Sequence, residues 1–273
     1  MTIACVQYDC VKAGWGANAD SVAAAVQRAD ADLVVLPELA YTGYFFDSTE
    51  QARALAEPAA TGRTAQHLTD LAAETGATLV AGIVEAAGED LYNSAVVVTP
   101  RGVLGVYRKT HLYYEETTHF TPGDTGFPVW TATDRSGTPY RLGVMICFDW
   151  FFPESARSLA RAGADVIAHP SNLVMPHCPD AMPVRALENA VFTATANRTG
   201  SESNGRDSLT FIGRSVICGP DAAVLAQAPG HGDATIRAEV DPERSRSKRL
   251  NAYNDRWQDR RPALYGPPDQ SPA

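Results

Sequence analysis

The sequence predicts an α/β protein in which two mixed sheets stack within one large domain. Apolar runs alternate along the chain with amphipathic helical stretches, a pattern typical of sheets covered by helices on at least one face. Each half of the chain reads strand–helix–strand with added hairpins, and no Gly/Ser linker, long charged run or short repeat separates the halves. The chain has 273 residues and a hydrophobic content of 45%, which suffices for one sizeable core.

The first half predicts buried strands, two helices and a hairpin. The strand-like run TIACVQY precedes a helix over Ala19–Ala29, for which Asn18 is the expected N-cap. The apolar runs DLVVLPE and ATLVAGIVE follow, with a helix near Thr64–Thr75 between them. The runs NSAVVVTP and GVLGVYRKT meet at residues 100–102, where Pro and Gly indicate a hairpin turn.

The second half repeats this alternation of strands and helices and then ends in consecutive strands without helices between them. The strand RLGVMIC precedes the helix PESARSLARAG, and the strands DVIAHPS and VFTATANR flank a helix around Met182–Asn189. FIGRSVICGP, AAVLAQAP and ATIRAEVD then predict a meander with a turn at Gly219–Asp221. Residues 1–250 therefore form the expected domain. The polar, Pro-containing residues 251–273 are predicted to be a tail that covers a partner or stays mobile.

Composition argues against several classes of function. The net charge of −9 and the scattered basic residues disfavour binding to nucleic acid. No apolar stretch approaches the roughly 18 residues of a membrane helix, and the N-terminus does not resemble a signal peptide, so we expect a cytoplasmic protein without a membrane partner. The cysteines are dispersed and form no CxxC pair, so neither a disulfide framework nor a metal site is expected.

Three reactive side chains end three different predicted strands. Glu38 closes DLVVLPE, Lys109 closes GVLGVYRK, and Cys147 closes RLGVMIC. Ligands of α/β sheets bind beyond the carboxyl ends of the strands, so we expect these side chains to meet in one site. The helix that begins near Pro153 is expected to lower the pKa of the Cys147 thiol.

A carboxylate, an ammonium and a thiol together are suited to nucleophilic catalysis. A free thiol needs a base or a cation beside it to act as a nucleophile at neutral pH. A buried Glu38 would have a raised pKa, accept the thiol proton and return it to a leaving amine. Lys109 and the backbone N–H of Phe148 would stabilise the oxyanion. The set predicts cleavage of a carbon–nitrogen bond through a thioester on Cys147, a reaction that needs no cofactor.

Three segments around these residues resemble the signature blocks of one enzyme family. PELAYTGY, YRKTHL and GVMICFDWFFPE are similar to the three blocks of the nitrilase superfamily, the carbon–nitrogen hydrolases. The resemblance covers nearly the whole chain and implies that Glu38, Lys109 and Cys147 are catalytic. The segment EETTHFTPGDTGF resembles the family segment that carries a second catalytic glutamate. That glutamate falls on Glu116, although the adjacent Glu115 stays open as an alternative.

The resemblance also implies a fold, an assembly and a reaction. Members of this superfamily have a four-layer α-β-β-α sandwich of two mixed sheets and commonly form homodimers or larger homo-oligomers. The chain resembles short prokaryotic members that act on small amides or nitriles. We therefore expect hydrolysis of a small amide to acid and ammonia, with hydrolysis of small aliphatic nitriles or of N-carbamoyl amides as alternatives. The residues expected to bind the substrate are Tyr44, Tyr113, Phe148, Trp150, Phe151 and Asn172.

Two alternatives rest on other residues. Residues 14–19 satisfy GxGxxA between a strand and a helix, with Glu38 about twenty residues further on, as in dinucleotide-binding proteins. The segment Asp9–Ala13, however, makes the turn before the first glycine too long for that motif. A papain-like enzyme would need a histidine as its base, and His169 at a predicted strand end is the best candidate.

Overall fold

Two six-stranded mixed sheets form the centre of the molecule, and helices cover their outer faces. The computed structural model describes residues 1–265. Strands of the first sheet contact strands of the second sheet directly, so the two sheets pack face to face. This arrangement confirms the predicted four-layer α-β-β-α sandwich.

The strand order brings the carboxyl ends of distant strands to one edge. In chain order the strands are β1 (Thr2–Gln7), β2 (Leu33–Val35), β3 (Thr78–Ala87), β4 (Asp90–Thr99), β5 (Gly102–Arg108), β6 (Val129–Thr133), β7 (Pro139–Val144), β8 (Val166–Pro170), β9 (Phe192–Ala196), β10 (Ser201–Ser203), β11 (Ser208–Thr210), β12 (Val216–Cys218), β13 (Val224–Gln227) and β14 (Ala234–Glu239). The first sheet has the order β14-β1-β2-β3-β4-β5, the second has the order β13-β12-β9-β8-β7-β6, and β10 and β11 pair separately. Strand β5 is antiparallel to β4, β4 is antiparallel to β3, and β3 is parallel to β2, so β2 and β5 end at the same edge.

The helices lie on both outer faces of the sandwich. They are α1 (Trp15–Ala29), α2 (Thr49–Leu55), α3 (Arg63–Thr75), α4 (Glu116–His119), α5 (Pro153–Arg161), α6 (His177–Asn189) and α7 (Glu243–Arg246), with 3₁₀ helices at Cys147–Phe151 and Pro262–Leu264. Helices α1 and α3 pack on the first sheet, whereas α5 and α6 pack on the second. Among residues 1–265, no helix is long and apolar enough to cross a bilayer.

The apolar run in β2 is continuous because both faces of this strand are buried. Val34 joins Val22 of α1 and Leu68 of α3 in one buried cluster, whereas Val35 joins the cluster between the two sheets. Successive strand residues point to opposite faces, so a strand between two layers needs apolar residues at every position. Burial of each such side chain stabilises the fold by about 1.5–3 kcal/mol.

Helix α1 begins earlier than the sequence predicts. Its first residue is Trp15 rather than Ala19, and the prediction that Asn18 is the N-cap was wrong. The Asn18 side chain accepts from the main-chain N–H of Val11 and donates to the Val11 carbonyl, each at 2.8 Å. Asn18 therefore fastens the loop before the helix from a position inside its first turn.

Helix α6 also begins earlier than predicted, at His177 instead of Met182. Pro179 lies in the first turn, where a missing N–H costs no helical hydrogen bond, so the helix tolerates it there. Strands β6, β10 and β11 were not predicted. They are short and largely exposed, so their sequences carry little of the alternation that identifies a strand.

Part of the predicted tail packs against the domain. Trp257 is partly buried against the main core. The charged ends of Arg157 and Lys248 lie 4.9 and 5.5 Å from the centre of its ring. Residues 266–273 of the predicted tail lie outside the described residues. The domain boundary at residue 250, the homo-oligomer and the cytoplasmic location stay predictions.

Candidate active site

Lys109 joins two buried carboxylates at the edge where β2 and β5 end. Its ammonium Nζ donates to Oε1 of Glu38 and to Oε1 of Glu116, each at 2.7 Å. Cys147 follows β7 of the second sheet, near enough that all three charged groups affect the pKa of its thiol. All four side chains are buried. The structure therefore brings the three strand-end residues together, and it adds Glu116 to them.

Two glycines let the chain approach Glu38 and Lys109 closely. A Cβ atom at Gly82 of β3 would lie 2.5 Å from the Cα of Glu38. A Cβ atom at Gly123 would lie 2.1 Å from the carbonyl oxygen of Arg108, and the Gly123 N–H donates to the carbonyl of Lys109 at 2.8 Å. Any side chain at either position would displace the backbone that carries a reactive residue.

Cys147 lies in a strained turn between β7 and α5. Its φ of +40° is in the left-handed region, where a non-glycine residue costs of order 1–3 kcal/mol. The buried carboxylate of Asp149 holds this turn, because it accepts from the Ile146 N–H at 2.8 Å and from the Tyr107 hydroxyl at 2.7 Å. Asp149 was missed in the sequence, although an acidic side chain at the third position of a helix often accepts from the main-chain N–H of the N-cap residue, as Asp149 does from Ile146.

Glu116 and Glu115 have different partners. Glu116 contacts Lys109, whereas Oε2 of Glu115 accepts from Asn204 at 2.8 Å and from Arg206 at 3.2 Å. The carboxylate beside Lys109 is therefore Glu116, the residue favoured by the resemblance.

Tyr44, predicted to bind substrate, contacts Glu116 and is not among the residues that line the cavity beside Cys147. Its hydroxyl donates at 2.5 Å to Oε1 of Glu116, the oxygen that also binds Lys109. The main-chain N–H of Tyr44 donates at 2.9 Å to Glu202, which pairs with the buried Arg198. Glu202 is 158 residues from Tyr44 in the sequence, so no local pattern pointed to it.

Burial dominates the acid–base properties of the site. It raises the pKa of Glu38 to about 7, although Lys109 opposes this effect and Glu116 adds to it. Burial also raises the pKa of the Cys147 thiol well above its usual value, so the lowering expected from the helix near Pro153 was wrong. Burial alone would lower the pKa of Lys109, but the carboxylates of Glu116 and Glu38 raise it. At neutral pH the site holds a thiol, an ammonium and a carboxyl group that can gain or lose a proton.

His169 contacts the main chain of Cys147 rather than its thiol. Its Nε2 lies 2.9 Å from the main-chain oxygen of Cys147, so this nitrogen carries the proton, and Nδ1 lies 3.0 Å from the Thr195 hydroxyl. Burial lowers the pKa of His169 to about 4. The geometry thus gives no support to a Cys–His pair. It gives none to a dinucleotide site either, because the Glu38 carboxylate is buried against Lys109.

A small cavity opens onto Cys147. Its free volume is about 20 Å³, which is room for about one water molecule. The lining residues are Tyr113, Cys147, Phe148, Trp150, Asn172, Leu173, Val174 and Met175. Phe151, also predicted to bind substrate, is 53% exposed and stacks on Phe148 outside this lining. A larger surface groove of about 580 Å³ lies along α1 and β14 and includes none of the reactive residues.

Several known proteins are similar to this chain over most of its length. The family model for carbon–nitrogen hydrolases matches residues 2–250. The chain is 50% identical over 248 residues to a protein named nitrilase from Pyrococcus abyssi, covering 91% of each chain. It is 31% identical to the N-carbamoylputrescine amidase of Solanum tuberosum, covering 97% of this chain and 93% of that relative.

A solved structure shows the same architecture. An amidase of Nesterenkonia AN1 from the nitrilase superfamily matches 97% of this chain and 95% of its own, with a TM-score of 0.78 and 28% identity. Another structure of that amidase shows the acetamide moiety of fluoroacetamide covalently added at its active site cysteine. On its family match, its relatives and its fold, the chain belongs to the carbon–nitrogen hydrolases of the nitrilase superfamily.

Proposed function

We propose that the protein hydrolyses a small, neutral amide to a carboxylic acid and ammonia through a thioester on Cys147. One observation carries the proposal. Lys109 and Asn93 both donate to Oε1 of Glu38, whereas Oε2 of Glu38 is buried without a hydrogen-bond partner among the described residues. A carboxylate with one anchored oxygen and one open oxygen is suited to exchange protons with a neighbouring thiol.

In the first half of the reaction, Glu38 takes the thiol proton and the Cys147 sulfur attacks the amide carbon. The ammonium of Lys109 has three N–H groups. Two of them bind Glu38 and Glu116, and the third, with the Phe148 N–H, stabilises the oxyanion. The carbon–nitrogen bond then breaks, Glu38 returns its proton to the leaving nitrogen, and ammonia departs from the thioester.

The second half releases the acid. A water molecule attacks the thioester carbon while Glu38 accepts one of its protons. The carbon–sulfur bond breaks, and Glu38 gives this proton to the Cys147 sulfur, so the enzyme returns to its starting state. A pKa of Glu38 near 7 suits both directions of transfer, because the group is neither a strong acid nor a strong base at neutral pH.

The lining of the cavity supports a small, uncharged substrate. The residues that line it are aromatic, aliphatic or neutral polar, apart from the reacting thiol itself. The lining itself therefore offers no counter-charge to a charged substrate group, which would lose its hydration on entering the cavity. The free volume of about 20 Å³ also requires a substrate of few atoms or a movement of the lining.

Asn172 favours an amide over a nitrile. Its Nδ2 donates to the main-chain oxygen of Glu38 at 2.9 Å, which identifies the other side-chain atom as Oδ1. This Oδ1 is buried without a partner, and Asn172 lines the cavity beside Cys147. An amide nitrogen has N–H groups to donate to Oδ1, whereas a nitrile has none. A site with a buried acceptor selects substrates that satisfy it.

Asn172→Leu is therefore expected to lower kcat/KM for a primary amide about 10- to 100-fold, the effect of one buried hydrogen bond. The corresponding methyl ester, which has no N–H group, should lose much less. Asn189→Leu is the matched control, since Asn189 is equally buried and also has an unpartnered Oδ1, but lies at the end of α6. An equal loss for amide and ester would refute the role of Oδ1.

A nitrile substrate is the second candidate. The relative from Pyrococcus abyssi that is 50% identical to this chain bears the name nitrilase. The same thiolate can add to a nitrile carbon, and hydrolysis of the resulting thioimidate also yields an acid and ammonia. An N-carbamoyl amide is a third candidate, because the relative from Solanum tuberosum bears the name N-carbamoylputrescine amidase.

Ammonia release from small aliphatic amides, nitriles and N-carbamoyl amines tests the proposal directly. Wild type and Cys147→Ala are compared, and intact mass detects any adduct. We expect release from amides above all, with an acyl mass on the wild type alone. Equal release by Cys147→Ala would exclude the thioester, and faster release from nitriles would favour the second candidate.

A further inference from the structure

Asn93 of β4 contacts every charged residue of the site. Its Nδ2 donates to Oε1 of Glu38 at 2.7 Å and lies 3.4 Å from Oε2 of Glu116. Its main-chain oxygen accepts from the main-chain N–H of Lys109 at 2.8 Å. The residue is 1% exposed, and its sequence position gave no indication of a role in the site.

The charges of the site explain why a neutral donor is needed here. Glu38 and Glu116 share a single ammonium, and two buried carboxylates repel one another. Asn93 donates to both carboxylates without adding charge or a titratable group. It also donates to the same Glu38 oxygen as Lys109, so both anchors hold Oε1 and neither holds Oε2.

The neighbouring residue shows that this contact depends on the face of the strand. Ser94 is also buried, and its hydroxyl donates at 2.6 Å to Oε2 of Glu85. Glu85 pairs with Arg108 rather than with Lys109. Successive residues of β4 thus each bind a carboxylate, on opposite faces of the sheet. Only the face of Asn93 belongs to the site with Lys109.

We propose that Asn93 is a positioning residue of the hydrolysis, holding Glu38 by Oε1 so that Oε2 stays available for the thiol proton. The inference rests on the proposed function in one respect, the role of Glu38 as the base. Without Asn93, Glu38 would keep one ammonium contact and could turn either oxygen toward Lys109. The carboxylate would also lose a hydrogen bond that favours its charged form.

The pH dependence of Cys147 alkylation by iodoacetamide tests whether Asn93 positions Glu38, and it does not require the natural substrate. The titratable groups near Glu38 are Lys109, Glu116, Cys147 and Tyr44. In the wild type, alkylation should rise with pH as Glu38 loses its proton near pH 7. In Asn93→Leu the protonated carboxyl is favoured, so the rise should move up by about one pH unit, making alkylation at pH 6 about ten-fold slower.

Ser94→Ala is the matched control, because it removes a buried donor to a carboxylate on the other face of the same strand. Its pH profile should equal that of the wild type. Asn93→Ala serves if Asn93→Leu does not fold, and circular dichroism and thermal melting compare all variants. Intact mass and peptide mapping assign the alkylation, with Cys147→Ala as the blank.

An unchanged profile in the Asn93 variants, or an equal shift in Ser94→Ala, would overturn the inference. A failure of the proposed function has a different signature. In that case the wild type would show no rise near pH 7, or Glu38→Gln would alkylate as the wild type does. The kcat/KM profile for an amide should show the same upward shift of its acid limb in Asn93→Leu.

Discussion

Glu38→Gln is expected to lower kcat/KM for an amide about 10³-fold while the protein stays folded. Proton transfer by a positioned group contributes about 10²- to 10⁴-fold to catalysis, and here one group makes four transfers in each cycle. Glutamine has the same shape, and its oxygen can still accept from Lys109 and Asn93 in place of Oε1. Its NH₂ group would then occupy the place of Oε2 and could not accept the thiol proton.

Steady-state ammonia release measures this effect, and Glu85→Gln controls for it. Glu85 is also a buried glutamate with an ion pair, to Arg108, but it lies on the opposite face of the first sheet. We expect Glu85→Gln to lose stability rather than activity. If Glu38→Gln kept more than about a tenth of wild-type kcat/KM, Glu38 would not be the base, since general acid–base catalysis is worth at least about 10²-fold.

Lys109→Arg is expected to be folded and inactive, with kcat/KM at least about 100-fold lower. The ammonium is fully buried between two carboxylate oxygens at 2.7 Å. A guanidinium keeps the positive charge, so the carboxylates stay compensated and the fold survives. Its planar fork is longer and wider than an ammonium, however, and would occupy the space of the reacting carbonyl.

Lys109→Met tests how Lys109 compensates the charge of the two carboxylates, separately from its proposed contact with the oxyanion. It removes the charge and leaves Glu38 and Glu116 buried together without a counter-ion, which should destabilise the fold by about 3–5 kcal/mol. Denaturant unfolding of both variants measures this difference. Lys12→Arg, at an exposed ion pair with Asp47, should be neutral in both assays. Substantial amide turnover by Lys109→Arg would contradict the proposed contact of the ammonium with the oxyanion.

The sequence predicted best those strands that are buried on both faces. DLVVLPE was identified as a buried strand because β2 lies between two layers and is apolar on both faces. The early start of α1 was missed because Asn18, a typical N-cap residue, binds the loop residue Val11 from inside the first turn. Helix α6 begins before Pro179, a residue type that disfavours a helix except in its first turn. Residues that meet only after folding, such as Asn93, left no pattern in the sequence.

By itself, the sequence determined which side chains are candidates for the reaction and at which strand ends they lie, because strand direction and the resemblance to one family both point to Glu38, Lys109 and Cys147. Only the tertiary structure decided how these side chains contact one another and their surroundings. The single open oxygen of Glu38 and its pKa of about 7 depend on burial and on donors from other strands. Hydrogen bonds and desolvation act through space, so the state of the Glu38 carboxylate depends on residues distant in sequence, such as Asn93, which is 55 positions from Glu38 and donates to its Oε1.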